Sequence, residues 1–282
     1  MEIVRAIPEL RSARSRLREP VGLVPTMGYL HAGHLSLVKQ ARRECASVVV
    51  SIFVNPTQFA PTEDLAAYPR DLPRDLSLLE SEAVNVVWLP TPEIMYPPGY
   101  QTWVTVEGVT GVLEGKQRPT HFRGVTTVVA KLFNNVLPHK AYFGQKDAQQ
   151  VVVIRRMVAD LNFPVEIVVC PIVREPDGLA MSSRNVYLNP AERKAATVLH
   201  RALMAAQAAY QRGERDAENL RSIVEHMVQS EPLATLQYVA YSHRDSLEEL
   251  RGAAQGGLLS LAAFVGKTRL IDNVLLESDQ DT

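Results

Sequence analysis

Short apolar runs recur along the first part of the chain, at residues 21–24, 47–54, 85–89, 140–143 and 165–169, with helix-like stretches between them. Runs of four to eight apolar residues separated by amphipathic segments predict repeated β-α units and a parallel sheet. The run through Val48-Val-Val-Ser-Ile-Phe-Val54 is apolar without alternation, which fits a strand buried on both faces under covering helices. Right-handed crossovers would then bring the strand ends to one rim, where ligands of such sheets bind. After residue 25 the apolar stretch resumes at Leu35, Leu37, Val38 and Ala41, which predicts a helix starting at His34.

The pattern changes beyond residue 175. Asn189-Pro-Ala-Glu192 carries a cap, a proline at the first helical position and a glutamate placed for a capping box, so a helix is expected from there to about Tyr210. A second helix is expected over 216–229, followed by strands near 236–241 and 257–265. Residues 1–175 are read as an α/β domain and 176–282 as a smaller α+β domain. The polar tail, 277–282, is expected to fray. Neither an internal repeat nor a low-complexity segment stands out.

Composition narrows the function classes. The chain has 282 residues, 46% hydrophobic and 22% charged, as an ordinary globular protein does. Thirty basic against thirty-one acidic residues leave a formal charge of -1, which lacks the electrostatic signature of a nucleic-acid surface. No uncharged apolar stretch reaches membrane-spanning length, and charges at Glu2, Arg5, Glu9 and Arg11 replace a signal core; a cytoplasmic enzyme without nucleic-acid or membrane partners is expected. Cys45 and Cys170 are too few for a disulfide framework and are read as core residues.

Three clusters carry chemistry. Pro25-Thr-Met-Gly-Tyr-Leu-His-Ala-Gly-His34 follows the first strand-like run; its glycines allow close backbone approach, His31 and His34 supply N–H donors, and a helix N-terminus favours phosphate. Gly144-Gln-Lys-Asp147, with Gln149 and Gln150 behind it, follows another strand. There Lys146 can set a compact charge on phosphate and Asp147 can accept from ribose hydroxyls. Met181-Ser-Ser-Arg184 follows a Pro/Gly-marked turn at 174–178, and its hydroxyls and guanidinium suit a departing pyrophosphate. The H-x-G-H pair is a pattern of the superfamily of nucleotidylyltransferases and class I aminoacyl-tRNA synthetases, and the three clusters resemble the layout of class I adenylate-forming enzymes.

Together with Phe53-Val-Asn-Pro-Thr-Gln-Phe59, Asp64-Leu-Ala-Ala-Tyr-Pro-Arg70 and His121-Phe-Arg-Gly-Val125, these motifs resemble the pantoate-β-alanine ligase family over nearly the whole chain. The resemblance implies a Rossmann-like parallel sheet with helices on both faces, a C-terminal domain contributing to the ATP site, and a homodimer. It implies Mg²⁺ and an ATP-dependent condensation of pantoate with β-alanine through pantoyl adenylate. It implies that Met27, Gly28, Tyr29, Leu30, His31, Ala32, Gly33 and His34, then Gly144, Gln145, Lys146 and Asp147, then Val173 with Met181, Ser182, Ser183 and Arg184, hold ATP. His31, His34, Lys146 and Arg184 would carry the chemistry, with His34 treated as a proton donor. Gln58 would serve both small substrates and Gln150 the pantoate, with Asn55 and Tyr68 as lesser contacts. Asp75 is a weak candidate for touching the metal, and Glu114 and Arg118 are candidates for a closing lip or a solvated loop. Two rivals stay open: another H-x-G-H enzyme acting on a phosphate or amino-acid acceptor, and a nucleotide-binding module without turnover. The glutamines argue against the first, and the retained His31, His34, Lys146 and Arg184 against the second.

Overall fold

The computed structural model describes residues 1–61 and 63–277; Thr62 and residues 278–282, which include most of the polar tail, lie outside the described residues. The chain divides into two compact units, one of residues 1–145 with 153–171, the other of residues 146–152 with those from Ile172 onward. The sequence reading set its division at 175/176.

The elements run β1 (Glu2–Val4), α1 (Ile7–Ser15), β2 (Val21–Thr26), α2 (Ala32–Glu44), β3 (Ser47–Ile52), α3 (Leu72–Ser81), β4 (Val86–Trp88), α4 (Pro92–Met95), α5 (Leu113–Gln117), α6 (His121–Val136), β5 (Lys140–Gly144), α7 (Ala148–Asp160) and β6 (Glu166–Cys170). Six parallel strands form one sheet in the order β1-β4-β3-β2-β5-β6. Val24, Val48, Val50 and Tyr142 meet Leu37, Val38 and Ala41 of α2 and Leu79 of α3 in one apolar cluster. Leu23 and Val49, which alternate with them and so point the other way, are fully buried too, so both faces are covered as expected. Gly22 lets α2 close on the sheet: a Cβ there would sit 3.0 Å from Cys45 Sγ and 3.1 Å from the Tyr142 ring. Both cysteines are buried, as read.

The strand order places the rim. β2 pairs with β3 on one side and β5 on the other, Leu23 opposite Val49 and Ala141 respectively. The chain leaves β2 in one direction and returns on the far side at β5, so the loops beyond these two strands part at a topological switch point. The histidine motif follows β2, and Gly144 closes β5.

The second unit carries α8 (Pro190–Ala195), α9 (Thr197–Gln211), α10 (Ala217–Gln229), β7 (Ala234–Ser242), β8 (Gly257–Val265) and β9 (Thr268–Leu276). The expected capping box forms: Asn189 Oδ1 accepts from the Ala191 and Glu192 amides at 3.0 Å, and Glu192 Oε2 accepts from the Asn189 amide at 3.0 Å. The single helix expected to Tyr210 is interrupted for one residue at Ala196, whose N–H is shared between the Glu192 and Lys194 carbonyls. Leu199, Leu203, Leu220 and Val224 pack on Leu259, Leu261 and Leu270 of the antiparallel sheet β7-β8-β9. Two strands escaped the pattern. β1 has three residues, and the alternation of β9 is broken by Asp272 and Asn273, both buried.

Candidate active site

Thr26 ends β2 by donating its hydroxyl to the Ser51 carbonyl (2.8 Å) and accepting from the Gly28 amide (3.2 Å). The next two residues turn through positive φ, +82° at Gly28 and +51° at Tyr29. Glycine is needed at 28 for that conformation and for clearance, since a Cβ would sit 3.0 Å from Ile52 Cγ2 and 3.1 Å from Asp75 Oδ2. Asp75, on the first turn of α3, holds the loop from below: its two carboxylate oxygens accept from the Tyr29 and Leu30 amides at 2.7 Å each. Burial pushes the Asp75 carboxyl up, against the pull of those two bonds and of Arg74.

The helix that follows begins earlier than the apolar periodicity predicted. His31 is its N-cap and accepts at Nδ1 from the Gly33 amide (3.1 Å); His34 accepts at Nδ1 from the His31 amide (3.3 Å), completing a capping box of two imidazoles. Imidazole is not the usual capping side chain, which is why the sequence pattern placed the start two residues late. The rings lie 4.1 Å apart, tilted by 42°. A ring nitrogen that accepts carries no proton, so the N–H of each ring sits at Nε2.

Beyond β3, Asn55 caps a single 3₁₀ turn, Pro56–Gln58. Its buried carboxamide is committed within the protein. Oδ1 accepts from Thr57 Oγ1 (2.9 Å) and from the Tyr96 hydroxyl (2.8 Å), while Nδ2 donates to Gln58 Oε1 (3.0 Å) and the Gly124 carbonyl (3.1 Å). Burial raises the Tyr96 hydroxyl to about 12, so it stays a donor. Gln58 in turn donates from Nε2 to Met27 Sδ (3.3 Å), which brings the first and second motifs together. Tyr68 is buried with its ring edge-on to Phe59 at 5.9 Å.

His121 and Gly124, to which the sequence assigns no role, fix Gln58 from behind together with Arg118, a candidate for the closing lip. His121 Nδ1 lies 2.9 Å from the Gln58 carbonyl oxygen, which can only accept, so the proton is on Nδ1. Gly124, one helical turn on, lets α6 lie against the 3₁₀ turn, since a Cβ would sit 2.5 Å from the Thr57 carbonyl oxygen. Arg118 reaches His121 Nε2 (3.3 Å) and forms a two-pronged pair with Glu63 at 2.7 Å on each side; burial alone would raise the Glu63 carboxyl, but that pair holds it below its ordinary value. Glu114 is buried, with Oε2 4.0 Å from Arg118, so this segment is built into the first unit and is not a solvated loop. A lone histidine at a helix start gives no signal of such a role.

Gly144 ends β5 with open space where a Cβ would stand, and Gln145–Asp147 form a 3₁₀ turn leading into α7. In the second unit, Lys146 Nζ lies 3.8 Å from Asp147 Oδ1; Gln149 is buried and Gln150 half-buried. Val173 and Met181 face each other across a hairpin, the Met181 amide donating to the Val173 carbonyl at 3.0 Å. Ser182 caps the next 3₁₀ turn, Ser183–Tyr187, by accepting from the Arg184 amide (3.3 Å); Ser183 is buried and Arg184 half-buried.

A sequence profile described as pantoate-beta-alanine ligase matches residues 2–275. Pantothenate synthetase of Roseiflexus castenholzii is 60% identical over 278 residues, covering 99% of this chain and 100% of that protein; the Chloroflexus aurantiacus enzyme is 59% identical over 280 residues, 99% of each. Among solved structures, pantothenate synthetase from Thermus thermophilus superposes with a TM-score of 0.94 at 49% identity, covering 98% of this chain and 100% of that one. Pantoate-beta-alanine ligase from Francisella tularensis, solved with β-γ ATP and β-alanine, gives 0.80 at 37% identity, covering 98% of each chain.

The support behind Gln58 predicts a pH dependence. Burial, then the Arg118 charge, lowers His121 from 6.5 to about 4. Unfolded chains bind a proton below 6.5 that the folded protein refuses, so this group removes stability as pH falls from 6.5 to about 4 and adds no further loss below. The loss amounts to about 3 kcal/mol at most. His121→Asn, which can keep a donor to the Gln58 carbonyl and does not titrate, should show a shallower fall in urea-unfolding free energy over that window. Identical slopes would contradict the assignment.

Proposed function

The chain belongs to the pantoate-β-alanine ligase family, and from that premise we propose that it condenses (R)-pantoate with β-alanine in two steps. Pantoate carboxylate attacks the α-phosphorus of ATP, giving pantoyl adenylate and pyrophosphate; the β-alanine amine then attacks the acyl carbon, loses a proton and displaces AMP. A free carboxylate is a poor acyl donor because oxide would have to leave, whereas the adenylate releases a phosphate monoester. The observation that supports this reading best is the contact of Gln58 with Met27, which sets a carboxamide suited to a small hydroxy acid beside the two-histidine corner.

Roles follow from the chemistry of each group. The Nε2–H donors of His31 and His34, at the N-terminal turn of α2, bind phosphate oxygens. Met27, Gly28, Tyr29, Leu30, Ala32 and Gly33 shape that corner. Lys146 and Arg184 offset charge that builds on the pyrophosphate, Ser182 and Ser183 add hydroxyl donors, and Gly144, Gln145 and Asp147 sit along the ribose. The Val173 backbone reads adenine. Gln58 and Gln150 orient pantoate, and Gln58 then orients β-alanine. Asn55, whose carboxamide is already committed, acts by positioning Gln58, and Tyr68 acts through packing. Mg²⁺ would accompany the triphosphate; Asp75 fits poorly as its ligand, because it is buried beneath the loop with each oxygen already accepting a backbone amide. We place the enzyme in the cytoplasm as a homodimer; among the described residues no helix is long and apolar enough to cross a membrane.

Pyrophosphate release should require pantoate and fail with other hydroxy acids or with phosphate-bearing acceptors; release that ignores pantoate would overturn the reading. His34→Ala, with its fold intact by circular dichroism, should lose about a hundredfold or more of that rate, as removal of a donor to transition-state charge does. Gln58→Ala should raise the KM for pantoate. A change in ATP affinity alone would show that Gln58 is misassigned.

A further inference from the structure

Two buried polar residues interrupt the apolar alternation of β9, and nothing in the proposed reaction uses them directly. Asp272 and Asn273 are 2% and 3% exposed. Buried polar groups in a strand are costly unless partnered, and their partners here are informative. Asp272 takes a two-pronged ion pair from Arg174, Nη1 to Oδ2 at 2.7 Å and Nη2 to Oδ1 at 2.9 Å. The same guanidinium donates to the Gly178 carbonyl at 3.1 Å, closing the hairpin in which Arg174 bridges Ala180. That hairpin carries Val173 at one end and Met181 at the other. The neighbouring Asn273 donates from Nδ2 to the Lys146 carbonyl at 3.0 Å, and its own amide donates to Asp272 Oδ1 at 2.8 Å. Gly178 cannot retreat from this arrangement: it has φ +95°, and its Cα faces the His200 ring with no room for a Cβ.

We propose that Asn273 is a positioning residue for ATP activation: with Asp272 and Arg174 it anchors the Lys146 backbone and the hairpin bearing Val173 and Met181 to one edge strand. The proposal rests on the reading that Lys146 and this hairpin meet ATP. Lys146 hangs on a flexible four-carbon stem, so the position of its ammonium group depends on where its backbone is held. The Asn273 bond fixes that backbone from a strand whose other face belongs to the core of the second unit. Asn273 itself need not touch a substrate. Its effect passes through Lys146, and that dependence is what distinguishes positioning from general support of the fold.

The experiment is a double-variant cycle on the full-length protein, read as the equilibrium Kd for α,β-methylene ATP and accompanied by the thermal midpoint. Asn273→Ala in the native background should weaken binding about fivefold, in the range expected within one hydrogen-bonded network, with the KM values for pantoate and β-alanine unchanged. In the Lys146→Ala background the same substitution should change Kd less than about twofold, because the group it positions is gone. An equal loss in both backgrounds, or no loss in a folded Asn273→Ala variant, overturns the proposal. Should alanine prevent folding, Asn273→Asp keeps the shape, removes the donor and is judged by the same two comparisons. If Lys146→Ala leaves both Kd and pantoate-dependent pyrophosphate release unchanged, the reading of Lys146 fails instead, which separates that failure from this one.

Discussion

The corner between β2 and α2 must take the chain from a fully buried strand into a helix within five residues, and a chain turning that tightly leaves backbone N–H groups without ladder partners. Asp75 accepts two of them and the Nδ1 atoms of His31 and His34 accept two more. Each solution has a chemical consequence. A carboxylate that is buried and spends an acceptor site of each oxygen on backbone amides becomes part of the scaffold. An imidazole accepting at Nδ1 is fixed in the Nε2–H tautomer, so the act of capping the helix also sets which ring atom can donate. Fold and chemistry are thus specified by the same four hydrogen bonds, and donors held ready in advance need no reorganisation when charge develops.

The surroundings of Gln58, the residue proposed to hold the small substrates, are built on a similar economy. Gln58 is held through its side chain by Asn55, through its carbonyl by His121, and by the close approach of α6 that Gly124 permits. The Asn55 donor orients the carboxamide, with Oε1 toward Asn55 and Nε2 toward Met27. A carboxamide so oriented keeps one lone pair and one N–H, which the proposed binding of a hydroxy acid and then an amine would use. Burial keeps His121 neutral, so it holds the Gln58 carbonyl as an uncharged donor.

Much of this was legible in the sequence because continuous apolar runs and glycine-bearing motifs report directly on strands and on the turns after them. The five strand-like runs and the Asn189 capping box lie where the pattern put them. What stayed hidden depends on partners far along the chain. Asp75 looks like any first-turn acid until the loop forty-five residues earlier folds onto it. β9 is masked by Asp272 and Asn273, whose partners Arg174 and Lys146 lie about a hundred residues away or more. His31 as a cap broke the rule that caps are short oxygen-bearing side chains, and the motif starting at His121 gave no sign of its hold on the Gln58 carbonyl.

The central claim, that capping presets the ring atoms proposed to bind phosphate, is tested most directly by the ¹⁵N chemical shifts of the His31 and His34 ring nitrogens in labelled protein without nucleotide. At pH above the ordinary histidine range, both residues should show an unprotonated, hydrogen-bonded Nδ1 and a protonated Nε2. A proton on Nδ1 of either ring would contradict the account.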